Sequence, residues 1–182
     1  MTAEELLERY AAGERDFRQS KLEYTDLSSF ILRECDFTES HFENSILRGV
    51  DLTRSNLFGA NCGGADLSES ILIGTSLIEV LLSGANLRNA NLSNADLLNA
   101  GLARANLMNV DLRNAYLGGA YLKGANLRGA ALSDAVLEYV TLVDTNLRGA
   151  NLDGARVTNC FYKNTILPSG TIVSDGTAFG DV

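Results

Sequence analysis

The feature that most constrains this chain is a five-residue period. Of the 31 positions at every fifth residue from Phe17 to Leu167, 25 are Leu, and the others are Phe17, Phe37, Phe42, Cys62, Val157 and Tyr162. No insertion or deletion breaks the register, and its most regular stretch runs from Ala85 to Leu107. Two residues before nearly all of these centres the side chain is small, as at Ser20, Thr25, Ser45, Ala60, Ala90 and Ala150, or apolar, as at Phe30, Val50, Val80, Val110 and Val140.

Neither ordinary regular structure can use this period. On an α-helix five residues advance roughly 140°, which spreads the leucines around the whole cylinder. On a continuous strand an odd repeat sends alternate leucines to opposite faces. The burial is kept only if the chain turns once per repeat. The small residue and the Leu, two apart on a short extended side, then both point inward. A mostly polar residue between them points out, and the two residues after the Leu form a corner. Gly or Asn at the last position of most repeats, for example Gly49, Gly84, Asn89, Asn114 and Gly129, suits the positive φ that such corners can require. Gly and Asn fit several turn types, so the type stays open.

The pattern Ala-(Asp/Asn)-Leu-x-x, at Ala65-Asp66-Leu67, Ala85-Asn86-Leu87, Ala125-Asn126-Leu127 and Ala150-Asn151-Leu152, closely resembles the pentapeptide-repeat proteins. The resemblance covers roughly residues 15 to 167. It implies an all-β solenoid, a right-handed quadrilateral β-helix with four repeats per coil. By that analogy the chain makes about eight coils and, at about 4.8 Å per coil, a rod roughly 35 to 38 Å long. Three segments follow: a capping helix over 1–14, the β-helix over 15–167 and a tail over 168–182. Thr2-Ala3-Glu4-Glu5 reads as a capping box opening a helix to about Ala12, stopped at Gly13, with Leu6, Leu7 and Tyr10 on one face. A solenoid exposes core at its ends, so this helix is expected to lid the first coil. Pro168 ends the register, and Ile172, still in phase, is expected to add one last side. The tail from Ser169 is loose or lightly packed on the last coil.

The chain is acidic, but unevenly. Residues 1–45 carry 11 acidic and 5 basic side chains, and the remainder 12 and 10. An acidic protein repels phosphate backbones, so direct nucleic-acid binding is not expected. Some pentapeptide-repeat proteins are DNA mimics that bind type II topoisomerases, so the resemblance keeps a gyrase binder or inhibitor as the alternative function. Acidity for solubility alone is the plainer reading. The longest apolar runs fall far short of the roughly 20 residues of a membrane span. The acidic start lacks a signal-peptide layout, which places the protein in the cytoplasm.

With a coil of 20 residues, outward positions stack into columns. One reads Arg18, Thr38, Phe58, Ile78, Leu98, Gly118, Glu138 and Thr158, with Ile73 one side earlier. Phe58, Ile78, Leu98 and Ile73 form either a partner or dimer surface or a plain apolar ladder. A second column, with Arg48, Arg88, Arg128 and Arg148, reads as arginines lying over outward Asp and Asn. Phe161, Tyr162 and Ile166 crowd the last coil, which is sealed by the tail or used for a homodimer. Several members of the family dimerise through that end.

Little points to chemistry. Cys35, Cys62 and Cys160 fall on inward positions and read as buried, reduced thiols. His41, the only histidine, points outward without assembled partners, so no metal or triad is expected. Asp16 and Asp36 stack as a carboxylate pair able to raise one pKa, but a convex rod offers no cleft. The expectation is a non-enzymatic protein-interaction or scaffold module, without cofactor or metal, with a protein partner.

Overall fold

The computed structural model describes residues 1–174. In the repeat region each outward residue forms a parallel bridge with the residue twenty further on, without a gap from Asp16↔Asp36 to Asn146↔Ile166. Bridged residues therefore lie four repeats apart, and the ladder runs along the β-helix. Mostly the bridges are single residues. They lengthen into named strands at β1 (Val136–Glu138), parallel to β2 (Arg156–Thr158), and at β3 (Thr165–Ile166), antiparallel to β4 (Ile172–Val173).

The backbone donors explain the repeat, residue type by residue type. The centre Phe17 N–H donates to Asp36 O at 2.8 Å and the corner Gln19 N–H to Thr38 O at 2.8 Å, both in the next coil. The outward Asp36 N–H donates back to Arg15 O at 2.7 Å, and Ser20 N–H closes the corner on Phe17 O at 3.3 Å. One N–H per repeat is left, that of the first corner residue. Every Asp or Asn at the outward position, from Asp16 to Asn151, accepts it through its side-chain Oδ1, as Asn91 does from Ser93 N–H at 3.0 Å. The polar residue of the motif is thus an Asx turn that occupies the last free donor.

The second corner residue has positive φ in every repeat from Gln19 (φ 55) to Asn164 (φ 51). Where the following N–H also closes the corner, as Ser20 does on Phe17 O, this is the type II arrangement. Tyr24 (φ 58) and Glu79 (φ 57) adopt it too, so the coil ladder outweighs the cost of a Cβ there. At Gly119 a Cβ would lie 2.4 Å from Asn99 Oδ1, so the Asn99 side chain would have to move.

Inward, the centres from Phe17 to Leu147 are all buried. Most hydroxyls at the small position find a carbonyl, in the preceding coil for Ser55 Oγ to Leu32 O at 2.9 Å and Thr75 Oγ1 to Leu52 O at 2.9 Å, or in their own repeat for Ser45 Oγ to Phe42 O at 2.7 Å, whereas the buried Ser70 Oγ has no partner. Phe17, Phe37 and Phe42 pack ring on ring, at 5.4 and 5.3 Å, near the N-terminal end of the core.

Before the coils, α1 (Ala3–Ala11) starts at Thr2, whose side chain accepts the Glu5 N–H, and ends at Ala12 ahead of Gly13 (φ 95). Leu6 is fully buried in the common core, with Ala3 and Tyr10 packed against it. Leu7 is partly exposed, because the helical spacing of three and four selects Ala3, Leu6 and Tyr10. At the other end Ile172 does not add a parallel side. The chain reverses after Pro168, Leu167 N–H donates to Thr171 O, and Ile172 is 60% exposed. The rest of the expected tail, 175–182, lies outside the described residues. Among those residues no helix is long and apolar enough to cross a membrane.

Two measurements test these assignments. Leu92→Ala should destabilise the chain by about 2–5 kcal/mol through a core cavity. The adjacent Asn91→Ala should cost about 1 kcal/mol through its lost corner hydrogen bond, and Asn91→Asp, which keeps the acceptor, close to nothing. Denaturant titration of the three variants reads the order. Burial also pushes the Cys35 thiol up to about 11 and that of Cys62 to about 12. The folded state keeps these protons where the unfolded chain has released them. Their contribution to stability is therefore complete below about pH 9 and declines as pH rises toward 11–12. A disulfide reagent at pH 8 should find native protein unreactive and all three thiols reactive in denaturant.

Candidate functional site

Corner geometry builds the Phe58 column directly. Phe58 O, Ile78 O and Leu98 O accept the N–H groups of Glu39, Gly59 and Glu79, which places one corner above the next. Asn56 and Asp96 hold the Phe58 and Leu98 N–H groups through Oδ1, so both side chains leave a pinned backbone. Phe58 is 37% exposed, and Ile78 and Leu98 are partly buried.

The column continues where its sequence shows only a glycine. A Cβ on Gly118 would lie 2.6 Å from the Tyr116 hydroxyl and 2.7 Å from its Cζ, so the tyrosine ring lies directly over this residue. The apolar surface therefore spans four coils, about 14 Å at the usual ladder spacing. Below it stands Thr38, bonded to Asp36 and Asn56, and above it the Glu138–Arg156 ion pair at 3.0 Å. Ile73 does not join the column: it sits on the preceding corner between Thr53 and Ser93. In the sequence Tyr116 stands at an outward position of the adjacent side, and a column assigns each corner only its own side chain, so its lean over Gly118 is visible only in the fold.

The C-terminal residues separate. Phe161 is 51% exposed, Tyr162 is buried, and Ile166 is partly buried in β3. Tyr162 instead lines an apolar cavity of about 570 Å³ at the end of the core, with Leu137, Leu142, Leu147, Leu152, Val157 and Leu167. Burial raises its phenol pKa.

Several acids of the N-terminal coils pair with arginine. Arg18 donates Nε and Nη2 to Asp16 at 2.8 and 2.6 Å and holds its carboxyl at about 2. The stacking of Asp16 and Asp36 therefore does not raise the Asp16 pKa, which the hydrogen bonds from Arg18 lower. Arg9 pairs with Glu14, Arg33 with the buried Asp51 at 2.7 Å, and Arg48 with Glu69 at 2.9 Å. A polar groove of about 640 Å³ between Arg9, Glu14, Asp16, Arg18 and Glu39 is lined by both signs of charge.

His41 is exposed, as expected, but it has partners. Its Nδ1 lies 3.2 Å from Glu43 Oε1, and ligand atoms of Glu23, His41 and Glu43 all lie within 4.8 Å of one another. The period could have revealed this: Glu23 and Glu43 are twenty apart, and His41 stands two before Glu43. Among the described residues these are the side chains able to hold a metal ion.

The pattern of pentapeptide repeats matches the chain in eight copies, over residues 16–49, 35–74, 75–114, 105–138 and 132–161. Among solved structures the chain is 30% identical to HetL from the cyanobacterium Nostoc sp. strain PCC 7120, a pentapeptide repeat protein involved in heterocyst differentiation regulation. That match covers 95% of this chain and all of the other, with a TM-score of 0.45. A pentapeptide repeat protein of the Arabidopsis thaliana thylakoid lumen is 28% identical over 65% of this chain and 69% of its own, with a TM-score of 0.48. QnrB1, a plasmid-mediated fluoroquinolone resistance protein, is 20% identical over 78% of each chain with a TM-score of 0.59, a likeness of fold. Comparison with curated protein sequences gives no match. Proteins of this kind fold as right-handed β-helices, in keeping with the bridges twenty residues apart. The chain belongs to the pentapeptide repeat proteins.

Proposed function

We propose that this chain is a non-enzymatic protein-interaction module, a quadrilateral rod of about eight coils lidded at its N-terminal end by α1. Its contact surface is the corner column Phe58, Ile78 and Leu98, extended by Tyr116. The observation that carries the reading is the continuity of this column: three successive coils present apolar side chains from one corner and Tyr116 covers the fourth, with polar groups at both ends. Apolar surface gathered into one patch, rather than scattered singly, is what a protein partner can desolvate. The family is generally one of structural and interaction modules, which agrees. A convex corner without a cleft gives a substrate no place to be shielded from water.

Duplex mimicry is the rival reading, supported by the acidic first 45 residues. It is weakened by the arginines that engage Asp16, Glu14 and Asp51, since a mimic needs a row of free negative charge spaced like phosphates.

Two experiments separate the readings. Replacing Phe58, Ile78 and Leu98 together by Ser should abolish capture of a protein partner from native lysate while the circular dichroism spectrum is unchanged, and retained capture would remove this surface. DNA gyrase supercoiling should be unaffected by micromolar protein, and inhibition would favour mimicry.

A further inference from the structure

We infer that Glu23, His41 and Glu43 form a binding site for a divalent transition-metal ion of the zinc class, bridging two coils near the N-terminal end. Glu23 and Glu43 occupy the same corner of successive coils, joined by the Tyr24 N–H to Glu43 O bond at 3.0 Å. His41 projects from the side that leads into the Glu43 corner. Three ligand atoms, one imidazole nitrogen and two carboxylate oxygens, meet within 4.8 Å.

Two observations go beyond proximity. Glu43 Oε2 is buried from solvent and has no hydrogen-bond partner, a costly state for a carboxylate oxygen that a cation would relieve. Among the described residues, no lysine or arginine makes an ion pair with Glu23 or Glu43, unlike Asp16, Glu14, Asp51 and Glu69 nearby. Lys21 stands one coil before His41 in the same column and pairs with neither.

The surroundings also position the ligands. Asn61 donates Nδ2 to Glu43 Oε1 at 2.6 Å, and its own Oδ1 is held by the Gly63 N–H at 3.1 Å. Such outer contacts orient a ligating carboxylate. Mixed nitrogen and oxygen donors suit zinc and its neighbours, whereas calcium and magnesium prefer all-oxygen shells. In a tetrahedral zinc site with ligands at about 2.1 Å, donors stand roughly 3.4 Å apart, so the long Glu side chains close in by about an ångström. His41 is 47% exposed in its side chain, leaving the outward coordination position to water or to a donor from another molecule.

The test is isothermal titration of the untagged full chain with Zn²⁺ in excess Mg²⁺, alongside thermal melting. One saturable site per chain and a metal-dependent rise in melting temperature are expected. His41→Ala, Glu43→Gln and Glu23→Gln should each weaken binding at least tenfold, while Glu39→Gln, an equal loss of charge outside the site, should leave it unchanged. Circular dichroism without metal verifies that each variant is folded. Absence of a saturable site below millimolar Zn²⁺, or unchanged affinity in folded His41→Ala and Glu43→Gln, overturns the assignment. A loss in Glu39→Gln as large as in the site variants overturns it too, by showing diffuse attraction to acidic surface.

Discussion

Everything in this molecule depends on giving each backbone N–H of a five-residue repeat an acceptor without an ordinary strand or helix. Three of the five donate along the rod to a neighbouring coil, and one closes its own corner. The last has no backbone acceptor in reach. It is met by the Asp or Asn side chain two residues before it, wherever the outward position holds one. The corner N–H is exposed or half-buried, so the side chain takes the place of water, at about the net worth of one hydrogen bond per corner. The recurrence of Asp and Asn at that position is therefore explained by the backbone donor they meet, although the ladder persists where Ile31, Leu81 or Tyr121 stands there.

The same requirement explains what the corners tolerate. Positive φ at the second corner residue is imposed by the ladder, so Tyr24, Glu34 and Arg54 accept a conformation that Gly and Asn adopt at lower cost. Side chains at these corners contribute little to the fold and are free to differ from coil to coil. That freedom is where Phe58, Ile78 and Leu98 on one corner, and Glu23 and Glu43 on another, acquire their character.

Inside, Leu at the centre and a small residue before it fill each coil, and most hydroxyls that enter are received by a carbonyl of the preceding coil or of their own repeat. The core is continuous, so its ends are its weak points. At one end Leu6 of α1 joins the core beside the Phe17–Phe37–Phe42 cluster. At the other, Leu152 and Val157 are only partly buried, and an apolar cavity remains beside Tyr162.

The period alone led to a turn in every repeat, to inward Leu and to buried thiols, because a mismatch with 3.6 and with 2 leaves few ways to bury one residue in five. Columns of outward residues followed once twenty residues made a circuit, as Phe58, Ile78 and Leu98 show. The sequence could not decide how side chains lean between columns: Tyr116 lies over Gly118, and Glu23, His41 and Glu43 meet across a corner. Nor could it decide which carboxylates are engaged, since Arg18 reaches Asp16 within one repeat but Arg33 reaches Asp51 across a coil. It also misplaced Ile172, whose phase is correct but whose chain reverses after Pro168. Periodicity reports where a backbone must go, because burial and hydrogen bonding repeat with it. Contacts between long surface side chains, and the reversal of the chain at an end, depend on neighbours that only the folded rod brings together.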